Sequence, residues 1–181
     1  MTYDRVDSIL EQWADERPDL DASPIGIFGR ISRIDRLFEQ SMAEFLRPHG
    51  LTLGLFDVLA ALRRNGEPFQ AKPSELAAMT MLTSGGMTGR VDQLEKLNLV
   101  RRVPDPDDRR VMKAQLSPEG RKLIDQLMSE HLERERDRLE WLQDGESDEF
   151  ASYLRMLEAS LRSLDGLAQN DDGRISGNRS S

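Results

Sequence analysis

The stretch from Pro73 to Arg121 constrains the chain most. It holds two short helical segments around a tight turn, then two β-rich runs flanking a charged, proline-punctuated loop, then Ser-Pro. Pro73 and Ser74 open a helix over residues 75–79, which gives way to a tight connection from Thr80 to Ser84. A further helix, running to about residue 97, turns Met87, Val91 and Leu94 inward. Two short helices joined in this way form a helix-turn-helix. Residues 99–103 and 111–116 read as strands, with Pro104-Asp-Pro-Asp-Asp-Arg-Arg110 as the hairpin loop between them. A β-hairpin directly after a helix-turn-helix makes a winged helix, assigned here to residues 50–116.

The flanks are helical. Val6, Ile9, Leu10 and Trp13 fall at i, i+3, i+4 and i+7 ahead of Pro18, which predicts a short extra helix within residues 1–18. Ile27, Ile31, Ile34, Phe38, Met42 and Phe45 repeat by fours and threes up to Pro48 and Gly50, giving one long seam over 25–48. Thr52 caps the next helix, whose buried stripe is Leu55, Val58, Leu59 and Leu62 and whose end is Asn65-Gly66. Ser117-Pro118 opens a long helix expected to reach Leu142, and Gly145 breaks it. Ser147 is the expected cap of a last helix with Phe150, Leu154, Leu157, Leu161 and Leu164 on one side.

A seam of that length on a terminal helix needs a partner, so residues 25–48 and 117–166 are assigned to a homodimer interface. Residues 168–181, AQNDDGRISGNRSS, read as a disordered tail. The expected fold is mainly α: a winged helix-turn-helix with a small β-hairpin wing and a helical dimerisation region from both termini.

Composition removes several functions. With no cysteine, and with His49 and His131 far apart outside any ligand spacing, neither a metal centre nor a thiol nucleophile has material to build on. No cofactor is implied. No P-loop, GxGxxG or nucleophile elbow occurs, and the carboxylate pairs Asp107/Asp108 and Glu133/Glu135 lie on a loop tip and a charged helix, so an enzyme is not expected. No apolar run approaches the roughly 20 residues that cross a bilayer, and the N-terminus is acidic, which predicts a cytoplasmic protein without a membrane partner.

Charge then points to double-stranded DNA. The whole chain has 25 basic against 33 acidic residues, but from Lys72 to Lys113 eight basic residues face six acidic ones. A locally cationic winged helix in an acidic chain is where phosphate contact is expected. The outward side of the recognition helix holds Gly85, Gly86, Gly89, Gln93 and Lys96, almost bare of side chains near its start. Backbone there can approach a groove closely, with Thr83, Ser84, Thr88 and Gln93 supplying hydrogen bonds. The glycine pair equally serves to shape the turn. Arg109 and Arg110 at the hairpin tip suit a narrow minor groove, with Asp107 or Asp108 pinning an arginine, while the same loop also fits a simply solvated surface.

At these residues the chain resembles the MarR family of winged-helix transcriptional regulators. The similarity spans roughly residues 25–165 and is most specific in GLTLGLFDVLAALRRNG, PSELAAMTMLTSGGMTGRVDQLEKLNLVRR and PDPDDRRVMKAQLSPEGR. It implies a homodimer on a pseudopalindromic operator, acting as a repressor that a small aromatic anion releases. The opening stretch, VDSILEQWADERPDLDASPIGIFGRISR, further resembles the PecS-like, urate-responsive subgroup with its added N-terminal helix.

That likeness implies an effector site of Trp13, Asp57, Arg90 and Arg102. Trp13 would stack on a planar ring such as urate, Asp57 would hold it by hydrogen bonding, and the two arginines would neutralise its charge. Helical spacing puts Arg90 about 60° from Met87, at the edge of the buried face. Three of the four also have a plainer role: Trp13 in a core, Asp57 solvated or paired opposite the Leu55/Leu59/Leu62 face, Arg102 on a phosphate. Gly89 departs from the polar or basic residue of close relatives, which leaves a ligand-binding or helical scaffolding protein without DNA reading as the alternative.

Overall fold

The computed structural model describes residues 3–80, 86–106, 108 and 110–164. Two compact units divide between Leu53 and Gly54. Thr83, Ser84, Asp107, Arg109 and the tail expected at 168–181 lie outside the described residues.

The first unit carries α1 (Arg5–Glu16) and α2 (Ile25–Leu46), followed by a single 3-10 turn at Arg47–His49. Asp4 caps α1: its Oδ1 accepts from the Val6 and Asp7 amides at 2.6 and 3.1 Å, and its own amide donates to Asp7 Oδ2 at 2.8 Å. The two helices cross closely where Gly29 of α2 faces Val6, which is buried; a Cβ on Gly29 would stand 3.3 Å from Val6 Cγ1. Arg30 clamps the crossing, its Nε 3.0 Å from Asp4 Oδ2 and its Nη2 2.6 Å from Asp7 Oδ1. Desolvation pushes the Asp4 carboxyl up, but the Asp7 and Val6 amides and Arg30 more than offset it and hold the carboxyl below its ordinary range. The short extra helix is thus fixed to α2 by a cap, an ion-pair fork and one close backbone approach.

The second unit holds the rest of α3 (Leu53–Arg64), β1 (Gln70–Ala71), α4 (Pro73–Met79), α5 (Met87–Lys96), β2 (Val100–Pro104), β3 (Met112–Leu116), α6 (Pro118–Arg138) and α7 (Glu146–Leu164). Its core gathers Leu55, Phe56, Val58, Leu59 and Leu62 of α3, Leu76 of α4, Val91 and Leu94 of α5, and Ile124 and Leu127 of α6. They include the expected stripe positions Leu55, Val58, Leu59, Leu62, Val91 and Leu94, and their burial supplies most of the driving force.

The sheet differs from a simple hairpin. It has three antiparallel strands in the order β1-β3-β2, with Gln70 opposite Gln115 and Arg101 opposite Gln115 on its other side. β1 has only two residues, too few for the alternation that reveals a strand.

Helix α5 ends with Asn98 at φ 56°, a left-handed position that asparagine tolerates, and Ser117 then bolts α6 to this turn. Ser117 Oγ donates to the Asn98 carbonyl at 2.7 Å and accepts from the Gly120 amide at 2.9 Å, while the Ser117 amide donates to the Leu99 carbonyl at 3.0 Å. Two helix limits are shifted from the sequence reading. α6 ends at Arg138 rather than near Leu142, because the amides that follow close tighter turns on Arg136, Asp137 and Leu139. α7 begins at Glu146, so Ser147 lies inside it and is no cap; the Glu146 carboxylate instead accepts from the Gln143 amide at 2.8 Å, and Glu146, Asp148 and Glu149 suit the positive helix start.

Candidate nucleic-acid interface and effector site

α4 and α5 set the reader. Lys72 is the residue before α4, and its amide donates to Glu75 Oε2 at 2.7 Å, fixing the first turn. At the other end Arg64 of α3 donates to the Met79 carbonyl, tying the last turn of α4 to the core. α5 starts from Gly86 at φ 87°, a left-handed conformation that a side chain would strain. Met87, Val91 and Leu94 are buried, while Gly86, Thr88, Gly89, Gln93 and Lys96 are exposed on the other side. A Cβ on Gly89 would meet nothing within 4 Å. The described part of the α5 face is therefore open and small, the shape that admits a duplex backbone.

The wing is ordered from its base. Asp105 donates its amide to the Val111 carbonyl at 2.8 Å, and the Val111 amide donates to the Asp108 carbonyl at 2.9 Å. Asp108 Oδ1 accepts from the Arg110 backbone amide at 3.0 Å, an Asx turn that shapes the loop, and Arg110 is exposed. Asp105 itself is only 1% exposed, with Oδ2 lying 3.1 Å from Lys72 Nζ and 3.2 Å from Lys113 Nζ. The sequence offered no sign of this, since Asp105 sits in a loop whose charges all read alike.

Among the residues expected to hold an effector, Asp57 and Arg90 lie within electrostatic reach of each other in the second unit. Asp57 is half-buried rather than solvated, and desolvation pushes its carboxyl above the usual carboxylate range against the opposing pull of Arg64, His131 and Arg90. Arg90, half-buried on α5, is thus on the side of its helix that Asp57 senses. His131 of α6 is buried beside them, its ring edge-on to Phe56 at 5.4 Å and its Nε2 3.4 Å from Glu135 Oε1. Arg102 on β2 is directed to α5, where it pairs with Asp92 and, at 3.2 Å, with Glu95 Oε2; these carboxylates raise its already high pKa. Trp13 lies exposed on α1, in the first unit.

Residues 49–111 match the profile of the MarR family. The transcriptional regulator PecS of Dickeya dadantii (strain 3937) is 36% identical to this chain over 159 residues, covering 88% of the chain and 96% of PecS. The chain belongs to the MarR family. Its members are transcriptional regulators, and the winged helix built from α4, α5 and the β2–β3 wing is the family fold.

Two solved structures share this fold. The MarR-family regulator Sco3205 of Streptomyces coelicolor, in complex with DNA, superposes with a TM-score of 0.70 at 21% identity, over 84% of this chain and 93% of Sco3205. The organohalide-sensing regulator RdhR-CbdbA1625, with 2,4-dichlorophenol bound, gives a TM-score of 0.70 at 17% identity, over 86% and 90% of the two chains. No single helix among the described residues of this MarR-family chain is long and apolar enough to cross a membrane.

Proposed function

We propose that this MarR-family chain is a cytoplasmic homodimeric repressor that reads a pseudopalindromic operator and leaves it when a small aromatic anion, urate or a close analogue, binds. The observation that carries the reading is the exposed α5 face of Gly86, Thr88, Gly89, Gln93 and Lys96, joined within one winged helix to a wing that holds Arg110 outward. The α5 face suits the major groove and the arginine the adjacent minor groove. Thr83, Ser84 and Arg109 complete the proposed contact set on sequence grounds.

Pairing is supported by apolar surface that stays exposed among the described residues. On α2, Ile27, Phe28, Ile34 and Leu37 are exposed, Ile34 at 61%. α7 has no buried residue at all, and Leu164 is 82% exposed. Contiguous apolar faces of this kind mark association sites. One winged helix makes few base contacts, so a second copy adds the affinity that specific recognition requires.

The effector reading rests on Asp57 and Arg90. A half-buried carboxylate held above its ordinary range, sensed by an arginine on the recognition helix itself, is the kind of perturbed pair that marks a binding site. An anion that takes Arg90 away from its position moves α5, and with it the spacing of the two readers, which must match about one DNA turn of roughly 34 Å. Trp13 and Arg102 belong to the proposed site by likeness to the PecS-like subgroup; for a planar aromatic ligand, RdhR-CbdbA1625 with its 2,4-dichlorophenol offers a precedent on the same fold.

The test is a gel-shift titration on the DNA upstream of the chain's own gene, with and without a panel of purines and phenolic acids. The reading expects a salt-sensitive complex that urate or another panel member dissociates, and an Arg90→Ala variant that no longer responds. Absent or salt-insensitive binding would refute DNA reading. A complex untouched by millimolar urate would refute urate as effector.

A further inference from the structure

We infer that Asp105 is the wing-positioning residue of this regulator, and that by holding the ammonium groups of Lys72 and Lys113 it keeps both off the DNA; the inference rests on the DNA-reading function proposed above. Three observations carry it. The carboxylate is almost wholly buried, yet sits in a loop whose other described charges, Asp108 and Arg110, are exposed. Its two lysines come from different elements: Lys72 from the start of α4, in the helix-turn-helix, and Lys113 from β3, in the wing. Its own amide closes the base of the wing on Val111, directly before the turn that presents Arg110.

A buried ion cluster is a poor source of stability, because desolvation offsets the attraction; what it fixes well is geometry. Here the fixed quantity is the direction of the wing relative to α4. One carboxylate joins the two parts of the reader, so moving it alters where Arg110 points while α5 keeps its own packing. It also has an electrostatic consequence. Lys72 and Lys113 are part of the local positive excess, but each is bound at close range to Asp105 and is discounted as a phosphate ligand. Without Asp105 the cationic surface gains two groups that recognise any duplex.

The experiment compares full-length wild type, Asp105→Asn and Lys72→Gln for binding to the upstream duplex and to a scrambled duplex of equal length over a salt series. For Asp105→Asn the expected result is a fall of at least tenfold in the preference for the upstream sequence. Its salt dependence on the scrambled duplex should steepen, by up to about two phosphate contacts per protomer. Unchanged preference and slope would overturn the proposal.

Lys72→Gln keeps Lys113 on the carboxylate and serves if Asp105→Asn does not fold. It should lose preference without a steeper slope. If it weakens both duplexes equally and its slope becomes shallower, Lys72 is an ordinary phosphate contact and the positioning role is wrong. A wild type with no preference between the duplexes would overturn the repressor reading itself, and this role with it.

Discussion

Replacing Gly120 by alanine should destabilise the protein, although the same change inside a helix normally helps. Gly120 lies in the first turn of α6, where an added Cβ would stand 1.9 Å from the Leu99 carbonyl oxygen and 2.8 Å from its carbon. Favourable contact at a carbon begins near 3.5 Å, so α6 must retreat by about 1.5 Å, and the atom in the way is backbone that has no rotamer to change. The retreat breaks the hydrogen bonds from the Ser117 amide to Leu99 and from Ser117 Oγ to Asn98. Overpacking of this kind costs about 3 kcal/mol, at the upper end of its usual range, and the damaged cap about 1 kcal/mol. Alanine recovers about 1 kcal/mol in helix propensity. The net is about 3 kcal/mol, or roughly 6–12 °C in Tm for a chain of this size. Thermal melting followed by circular dichroism measures it directly, and a Gly120→Ala protein melting at or above the wild-type temperature would refute the packing argument.

Other predictions follow from the same surfaces. Gly89→Ala should raise stability by about 1 kcal/mol, since its Cβ enters open space on a helix, while lowering operator affinity because the methyl group stands on the face offered to DNA; unchanged affinity in a binding titration would remove that face from the interface. Arg110→Ala should weaken binding to all sequences and reduce the salt slope by about one per protomer, and an unaltered slope would exclude wing insertion. Asp57→Asn tests the raised carboxyl. Because the folded state holds that proton more tightly than the unfolded chain, ionised Asp57 opposes folding above its raised pKa, and the cost fades as pH falls towards the ordinary carboxylate value. The variant should therefore melt higher than wild type at pH 7 and converge with it in acid; a lower Tm at pH 7 would show that the Arg64, His131 and Arg90 attractions prevail.

The helices and the hairpin were legible because their signals are local. The Met87, Val91 and Leu94 spacing, the left-handed Gly86 ahead of it and Ser117-Pro118 each act within a turn of chain. β1 was illegible because two residues carry no period; it exists only because β3 offers a free edge to Gln70 and Ala71. Asp105 was hidden for a related reason. In the sequence it is one of several like charges, and its burial arises from two lysines that lie 33 residues upstream and eight downstream in the chain and come together only after folding. Asp57 falls opposite the Leu55/Leu59/Leu62 stripe and looks solvated on a helical wheel, yet Arg64, His131 and Arg90 gather round it from α3, α6 and α5. Periodicity reports which face of an element is buried, not what a later element brings to the other face.

The central claim, that two copies set their readers on successive grooves of one duplex, is tested most directly by hydroxyl-radical footprinting of the complex on the upstream DNA. The account predicts two equivalent protected patches about 10 base pairs apart, related by a dyad, each flanked by minor-groove protection that Arg110→Ala removes. A single patch, or protection that does not repeat with the helical turn, would contradict it.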